Sequence, residues 1–510
     1  MSVPIAAADR PWLAYTTVRL IGPAQVPTVD QLRRALLRLM IERPDHPLVS
    51  SIDVERRRFE PVPADDRASW CALMVSELAA PAGDYATATT GLLAGGTGPA
   101  PIRFLVGDGH ICFVMSHVLG DARTGNAVIA AALDSRRTDS AFLGLPVPDT
   151  ARAVRRLLAH HYGRRPWRLV TTLRAPRPAP PGAAAVTGES DAGESDTGES
   201  DLAAAAVAAP LPPPDGLPGT DGAGSSPAAS EGAEAAAAAE LAPLGSVMVA
   251  ATRVPAGALA AVRSWRRAAA PELSLAMLMF TAARGAFARA GIPVDERGAF
   301  LLVDTRRYGG SALAERAGNL AKSVYVAAPE TAGPAALQRA LNETIASGRP
   351  LAAIAEATLR ASRRPGRPGG PALELPAAPE PAAAGAAARP VVLSLTYLGR
   401  AAEMRDIDWV ADPAERNWLV GTTPGGPDGV TVVFTELGGV LHVSATFDGG
   451  QVTPARVRAA VNLLGEPLDL LAETGAGLSA AALVEDRDVA GAVPDRALAG
   501  SAAPAAARDR

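Results

Sequence analysis

The sequence predicts an α/β protein made of two halves of similar size, each containing strands and helices in α+β layers. Three observations support this prediction. Strand-like and helix-like hydrophobic patterns occur on both sides of the middle of the chain. A segment with few apolar side chains other than alanine, residues 174–244, separates the two groups. The length of 510 residues is sufficient for more than one core.

The first half begins with a clearly marked helix. Thr28 and Gln31 have the spacing of a capping box, in which both side chains satisfy free N–H groups of the first turn. Apolar residues then recur at helical spacing, and Arg43-Pro44 ends the helix. The other predicted elements of this half are strands at 46–52 and near Phe59, a helix at 68–78, strands at 102–106 and 111–116, and helices at 124–133 and 151–162.

One stretch of the first half carries the main chemical signal. Strands 102–106 and 111–116 form a hairpin through Asp108-Gly109, so that His117 follows the end of the returning strand. Asp121 follows four residues later, and a helix comes next. His117 therefore lies in a strand-to-helix loop, where a rigid element can hold a side chain against a cleft.

The second half repeats the mixture of strands and helices. Predicted strands are 247–252, 300–303, 323–326, 391–396, 430–435 and 440–447, the last two forming a hairpin through Gly438-Gly439. Predicted helices are 256–268, 274–290, 335–346, 352–361 and 454–471.

Three segments have the composition of disordered chain. Residues 174–244 contain the repeated tetrapeptide Gly-Glu-Ser-Asp and runs of alanine. Residues 363–389 are rich in Pro, Gly and Ala and predict a flexible insertion, and residues 485–510 predict a disordered tail. These segments have too little apolar side-chain area to offset the entropy cost of ordering.

Composition excludes several classes of protein. The net charge of -4 and the lack of a long basic run argue against nucleic-acid binding. Cys71 and Cys112 cannot build a disulfide framework and are not at metal-ligand spacing, so no metal site is predicted. The first ten residues lack the pattern of a signal peptide, and no apolar run approaches a membrane span of about 20 residues. We therefore expect a cytoplasmic protein with no membrane span.

Several short motifs, in this order and spacing, resemble those of one superfamily. The motifs are His46-Pro47-Leu48, Ser116-His117-Val118-Leu119-Gly120-Asp121, Leu302-Val303-Asp304-Thr305-Arg306-Arg307, Gly318-Asn319-Leu320 and Ser394-Leu395-Thr396-Tyr397-Leu398-Gly399. They are similar to the motifs of the condensation-domain and HxxxD acyltransferase superfamily, which has the chloramphenicol acetyltransferase fold. Stand-alone polyketide- or lipid-type acyltransferases look closest. The resemblance covers most of residues 10–475 outside the two flexible stretches.

The resemblance implies an architecture and partners. We expect two chloramphenicol acetyltransferase-like subdomains in a V, residues 10–173 and 245–475, with a channel between them. The acyl donor would be a thioester of coenzyme A or of phosphopantetheine on a carrier protein, acting as co-substrate, with no permanently bound cofactor. The acceptor would be a small molecule of secondary or lipid metabolism, and the protein a monomer.

The resemblance also implies roles for individual residues. His117 would be the general base that removes the proton from the acceptor, a role that suits a neutral imidazole. Asp121 would turn away from His117 and pair with Arg306, and Asp304 would be structural. The substrate or the oxyanion would contact a backbone N–H near Gly120 or one of four side chains in the second half, those of Asn319, Ser394, Thr396 and Tyr397.

Two residues depart from the motif. Ser116 stands where the superfamily has its first His, and Ala122 stands where it has Gly after the Asp. Ser116 is expected to be tolerated, because the first position is supportive. Ala122 lacks the backbone freedom of Gly, so the loop is expected to differ locally.

Three functions stay open at this point. The first is a stand-alone acyltransferase that makes an ester or an amide. The second is a condensation enzyme that forms peptide bonds between carrier-bound substrates. The third is a degenerate module that binds a partner without catalysis, which the departures at Ser116 and Ala122 favour. A Ser–His–Asp hydrolase fits poorly, because the sequence has no Gly-x-Ser-x-Gly elbow.

Overall fold

The protein contains two large mixed β-sheets with helices packed against them, as seen in a computed structural model. The structure describes residues 2–78, 84–175, 247–314, 316–329, 333–363, 390–400, 404, 407–424 and 429–473. Within these ranges the strands are β1 (Val3–Pro4), β2 (Thr16–Gly22), β3 (Ser51–Asp53), β4 (Arg58–Glu60), β5 (Val75–Glu77), β6 (Ile102–Gly107), β7 (His110–Ser116), β8 (Val247–Val254), β9 (Gly298–Asp304), β10 (Ala321–Ala327), β11 (Val392–Arg400), β12 (Asn417–Thr422), β13 (Gly429–Leu437) and β14 (Val440–Asp448).

The helices connect these strands and cover the sheets. They are α1 (Val29–Glu42), α2 (Arg67–Met74), α3 (Tyr85–Gly95), α4 (Ala122–Asp134), α5 (Thr150–Tyr162), α6 (Pro166–Arg174), α7 (Ala256–Ala269), α8 (Leu275–Arg289), α9 (Ser311–Ala314), α10 (Gly333–Ala346), α11 (Arg349–Arg363), α12 (Pro454–Leu463) and α13 (Pro467–Glu473). The two α/β halves that the sequence predicts are confirmed by this arrangement.

The first sheet has the strand order β12-β2-β7-β6-β5, and β7 is its central strand. Every residue of β7 is buried, because helices α1, α2 and α4 cover one face of the sheet while α3 and β8 pack on the other. Burial on both faces explains why residues 111–115 are continuously apolar rather than alternating. Strand β7 is therefore paired with a strand on each edge and packed on both faces.

The second sheet has the strand order β10-β9-β11-β13-β14-β8. Strand β11 runs parallel to both of its neighbours, β9 and β13, whereas the other pairs are antiparallel. Helices α7, α8, α12 and α13 pack on one face of this sheet and bury it in the largest hydrophobic core among the described residues.

The edge strand β12 joins the two halves. It comes after the second half has begun, yet it pairs with β2 of the first sheet, with Asn417 opposite Gly22 and Thr422 opposite Thr17. A strand from the second half of the sequence therefore belongs to the sheet of the first half. The boundaries 10–173 and 245–475 stay predictions, as do the V shape and the channel.

Local predictions based on turn and capping chemistry are confirmed. The Thr28 hydroxyl accepts from the Gln31 N–H, and the Gln31 side chain accepts from the Thr28 N–H. In the β6–β7 hairpin Asp108 and Gly109 have φ values of 45° and 72°, as a type I′ turn requires. The Gly438-Gly439 hairpin also forms.

Two predicted helices are wrong in extent. The helix expected at 68–78 ends at Met74, because Val75–Glu77 pair with β6 as strand β5. The helix expected at 454–471 is two helices, and Pro467 begins the second of them. The sequence analysis also missed β2, α3, α6 and β12.

Some expectations fall outside the described residues. The predicted disordered segments lie almost entirely there, apart from Arg174 and Ala175, which end α6, and Arg363, which ends α11. Within the part of the chain that is described, no helix is both long and apolar enough to cross a membrane.

Candidate active site

His117 lies where β7 ends and α4 is about to begin. It opens a short 3-10 turn, and its backbone N–H donates to the carbonyl of Tyr15 at 2.7 Å. Gly120 closes the turn with φ 143°, and a Cβ there would lie 2.4 Å from Oγ1 of Thr124. Only glycine fits this position, so the backbone path from His117 to Asp121 is fixed.

The imidazole of His117 is held on one edge and one face. Its Nδ1 lies 2.9 Å from Oδ1 of Asn319, and its ring stacks on the indole of Trp12 with centroids 4.3 Å apart and planes 17° apart. Nε2 has no hydrogen-bond partner among the described residues. Burial lowers the pKa of His117, and the charge of Asp121 and the bond to Asn319 only partly offset this. The imidazole is therefore neutral near pH 7.

Asn319 connects His117 to a buried carboxyl group. Its Nδ2 donates to Oδ1 of Asp9 at 2.8 Å and to the backbone carbonyl of His117 at 2.9 Å. Its backbone N–H donates to Oγ1 of Thr150 at 3.0 Å. The sequence predicted that Asn319 contacts substrate, whereas the structure shows both ends of its amide engaged within the protein.

Asp9 is buried without a cationic partner in its hydrogen bonds. Burial raises its pKa to about 7, against the lowering effect of hydrogen bonds from Asn319 and Thr150. The residue is 7% exposed. Its carboxyl group therefore changes charge in the neutral range rather than near the usual value for aspartate.

Asp121 faces away from His117 and pairs with Arg306. The guanidinium donates from Nη1 to Oδ2 at 2.8 Å and from Nη2 to Oδ1 at 3.1 Å, and both side chains are almost fully buried. Asp121 also caps α4 by accepting from the Arg123 N–H, and it accepts from the Leu320 N–H. This is the pairing that the family resemblance implied for the two residues.

Arg306 uses its remaining donors on the backbone and on Asp304. Nε donates to the carbonyl of Arg316 at 2.8 Å, and Nη2 also donates to the carbonyl of Gly318 at 3.2 Å. Asp304 accepts from Nη1 of Arg306 at 3.2 Å. The buried ion pair thus ties the loop after β7 to the segment that carries Asn319.

The other predicted contacts to substrate lie elsewhere. Ser394, Thr396 and Tyr397 are in β11, and none of them forms a hydrogen bond or ring contact with His117 among the described residues. Tyr397 instead stacks near Phe434, and burial raises its pKa to about 12. The N–H of Gly120 already donates to the carbonyl of His117. The role of these residues toward an oxyanion stays a prediction.

Both departures from the motif fit the structure. Ala122 is the first residue of α4, so it has helical backbone and needs no glycine. Ser116 is buried, and its hydroxyl has no hydrogen-bond partner among the described residues. Neither side chain forms a hydrogen bond to the imidazole of His117 among the described residues.

A cavity of about 170 Å³ adjoins the loop that follows His117. Leu119 and Thr124 line it from the site, and Arg123 and Arg316 are its cationic residues. Most of its lining is apolar, but His117 is not part of it.

Three residues of the site were missed in the sequence. Asp9 and Trp12 precede the first recognised motif, and Thr150 begins the helix that was predicted to start at residue 151. A lone aspartate or tryptophan near a chain end has no spacing signal. Only the contact with Asn319 and His117, far away in sequence, identifies them.

The sequence matches no protein-family model and no curated protein sequence. The structure is similar to trichothecene 15-O-acetyltransferase from Fusarium sporotrichioides, with 11% identity, 92% of this chain and 95% of that chain covered and a TM-score of 0.49. It is similar to the condensation domain of the Monacolin K polyketide synthase, with 11% identity, 93% and 98% coverage and a TM-score of 0.47. Polyketide synthase associated protein 5 from Mycobacterium tuberculosis gives 14% identity, 92% and 98% coverage and a TM-score of 0.46.

By their names, the first of these structures is an acetyltransferase and the second is a condensation domain, the two kinds of protein whose motifs this sequence resembles. Identities of 11–14% and TM-scores below 0.5 assign neither an activity nor a substrate to this chain.

Proposed function

We propose that the protein is an acyltransferase that moves an acyl group from a thioester to a hydroxyl or amine acceptor, with His117 as general base. The observation that carries this proposal is the isolation of His117 from Asp121. The carboxylate of Asp121 is taken up by Arg306, so the imidazole acts without an acid partner beside it.

The chemistry follows from a neutral imidazole with one free nitrogen. As the acceptor oxygen or nitrogen attacks the thioester carbonyl, Nε2 takes the proton from the acceptor. The carbon–sulfur bond then breaks, and the proton passes from Nε2 to the departing thiolate. The acyl group ends on the acceptor, and the imidazole returns to its neutral form.

A covalent hydrolase mechanism is disfavoured by the same geometry. Such a mechanism needs a nucleophile bonded to the histidine and a carboxylate behind it. Ser116 makes no side-chain bond to His117, and Asp121 faces Arg306. Direct attack by the acceptor fits this site better than an acyl-enzyme.

The donor is proposed as acyl-coenzyme A or an acyl group on the phosphopantetheine of a carrier protein. A carrier-bound acceptor amine would make the same site a condensation enzyme. Both reactions use one base and break one thioester bond, so donor and acceptor screening separates them.

A non-catalytic binding function is the second candidate, and the stacking of Trp12 favours it. The indole covers one face of the imidazole at 4.3 Å. In a binding module the indole would stay stacked on the imidazole. Replacing His117 would then have no effect on acyl transfer, because the protein would catalyse none.

The test is transfer of an acyl group from a panel of thioesters to a panel of alcohols and amines, followed by mass spectrometry of the acylated acceptor. His117→Gln is compared with the control His160→Gln, a histidine on α5 whose exposed ring has Nδ1 2.7 Å from the backbone carbonyl of Tyr308. We expect transfer by the wild-type protein and His160→Gln and its loss in His117→Gln. Equal transfer by all three proteins, or by none across acyl-coenzyme A and acyl-carrier donors, would contradict the proposal.

A further inference from the structure

We propose that Asn319 is a positioning residue that holds His117 in the tautomer with its proton on Nδ1, and that Asp9 holds the Asn319 amide in place. The importance of this tautomer for catalysis rests on the proposed function, whereas the tautomer itself can be measured without a substrate.

The orientation of the Asn319 amide follows from its contact with a carbonyl. One end of the amide lies 2.9 Å from the backbone oxygen of His117, and the other end lies 2.9 Å from Nδ1 of the same residue. A backbone oxygen can only accept a hydrogen bond, so the end that faces it must be the NH₂ group. The amide oxygen therefore faces the imidazole.

The tautomer of His117 follows from this orientation. The amide oxygen of Asn319 can only accept, so Nδ1 of His117 must donate and carries the proton in the neutral ring. Nε2 then holds the lone pair, and it is the nitrogen without a partner among the described residues. The reverse tautomer would place two lone pairs 2.9 Å apart.

Asp9 and Thr150 secure the amide from behind. The second hydrogen of the NH₂ group of Asn319 is donated to Oδ1 of Asp9 at 2.8 Å, and the backbone N–H of Asn319 is donated to Thr150 at 3.0 Å. A rotated amide would place its oxygen against both the carbonyl of His117 and the carboxyl group of Asp9. Two contacts from separate parts of the chain thus oppose rotation.

This arrangement differs from a catalytic triad in its charge. The partner of Nδ1 is a neutral amide, and the carboxyl group of Asp9 is connected to the imidazole only through that amide. An amide fixes the proton without strongly stabilising the imidazolium, so the ring is oriented but stays neutral. Such a partner suits a general base, because Nε2 must be unprotonated at the start of each catalytic cycle.

The test is nitrogen NMR of ¹⁵N-histidine-labelled protein at pH 8, where the shifts of the two ring nitrogens identify the tautomer. The signal of His117 is assigned by its loss in His117→Gln. We expect the Nδ1–H form in the wild-type protein and its replacement by a mixture or by the Nε2–H form in Asn319→Ala.

Two results would overturn the inference. One is an Nε2–H form in the wild-type protein, and the other is an unchanged Nδ1–H form in folded Asn319→Ala. If Asn319→Ala does not fold, the wild-type spectrum still decides, since an Nε2–H form there would overturn the inference. Correct tautomers without any acyl transfer would refute the proposed function and leave this inference intact.

Discussion

The carboxylate of Asp121 receives two hydrogen bonds from the guanidinium of Arg306, at 2.8 and 3.1 Å, although His117 lies only four residues before it. The motif spacing therefore serves two separate purposes. His117 presents an imidazole, while Asp121 locks the loop to a segment about 185 residues away. That segment also carries Asn319, so the ion pair and the orientation of the base depend on the same piece of backbone.

Breaking the buried ion pair should destabilise the fold. Asp121→Ala leaves the buried guanidinium of Arg306 without its main partner, and we expect a loss of about 3–5 kcal/mol in the free energy of unfolding. Combining it with Arg306→Met removes the stranded charge and should cost less than the sum of the single changes.

The control for this cycle is the exposed pair Arg289–Glu473, which has the same 2.8 Å separation. Because both side chains are about half exposed, its removal should cost less than about 1 kcal/mol. Denaturant unfolding measures all the variants. Equal losses for the two pairs would show that burial of the Asp121–Arg306 pair has no special weight.

Asp9→Asn should change how stability depends on pH. The pKa of Asp9 rises from 3.8 in the ordinary case to about 7 in the folded protein, so between these values the folded state binds more protons than the unfolded state. Stability from this group is therefore present below pH 3.8 and is lost as pH rises through 7. Asparagine removes the effect.

We expect the stability of Asp9→Asn relative to wild type to increase from pH 4 to pH 8, by up to roughly 4 kcal/mol. His46 and His442, whose pKa burial lowers to about 4, act in the opposite direction, but they are present in both proteins and cancel. Urea unfolding at several pH values provides the measurement. A difference that does not vary with pH would mean that Asp9 is not buried as described.

Ser116→Ala should be harmless. The hydroxyl is buried and has no hydrogen-bond partner among the described residues, so its removal should leave stability unchanged or raise it by about 1 kcal/mol. Acyl transfer should be retained, because the hydroxyl of Ser116 forms no hydrogen bond to the imidazole. Loss of transfer in a folded Ser116→Ala protein would instead favour a covalent mechanism at this residue.

Trp12 offers an optical probe of His117. An imidazolium quenches the fluorescence of an indole stacked on it, so the difference spectrum between wild type and Trp12→Phe should titrate with His117. Because burial lowers the pKa of His117, the midpoint should lie below 6.5. In His117→Gln the transition should disappear. A midpoint at or above 6.5 would contradict the neutral imidazole that general-base catalysis requires.

Much of the fold could be predicted from local chemistry. The capping box at Thr28, the Asp108-Gly109 turn and the apolar run before His117 each depend on neighbouring residues, and each was identified correctly. Strands β2 and β12 depend on pairing with each other across about 400 residues, and no local pattern records that pairing. The extra helical turn predicted after Met74 failed for the same reason.

The candidate site shows the same division. His117, Asp121 and Arg306 were identified through short motifs, and the structure places the last two together. Asp9, Trp12 and Thr150 reach the site only through folding, since their contacts with Asn319 and His117 are between distant parts of the chain. Of the residues that orient the base, only Asn319 lies in a recognised motif, Gly318-Asn319-Leu320.

The most direct test of the central claim is the pH dependence of kcat/KM for acyl transfer, measured with the best thioester and acceptor from the screen. We expect a loss of activity on the acidic side with an apparent pKa below 6.5, and a decrease of about 10²- to 10⁴-fold in His117→Gln at pH 7.5. Undiminished transfer by His117→Gln would show that another group is the base.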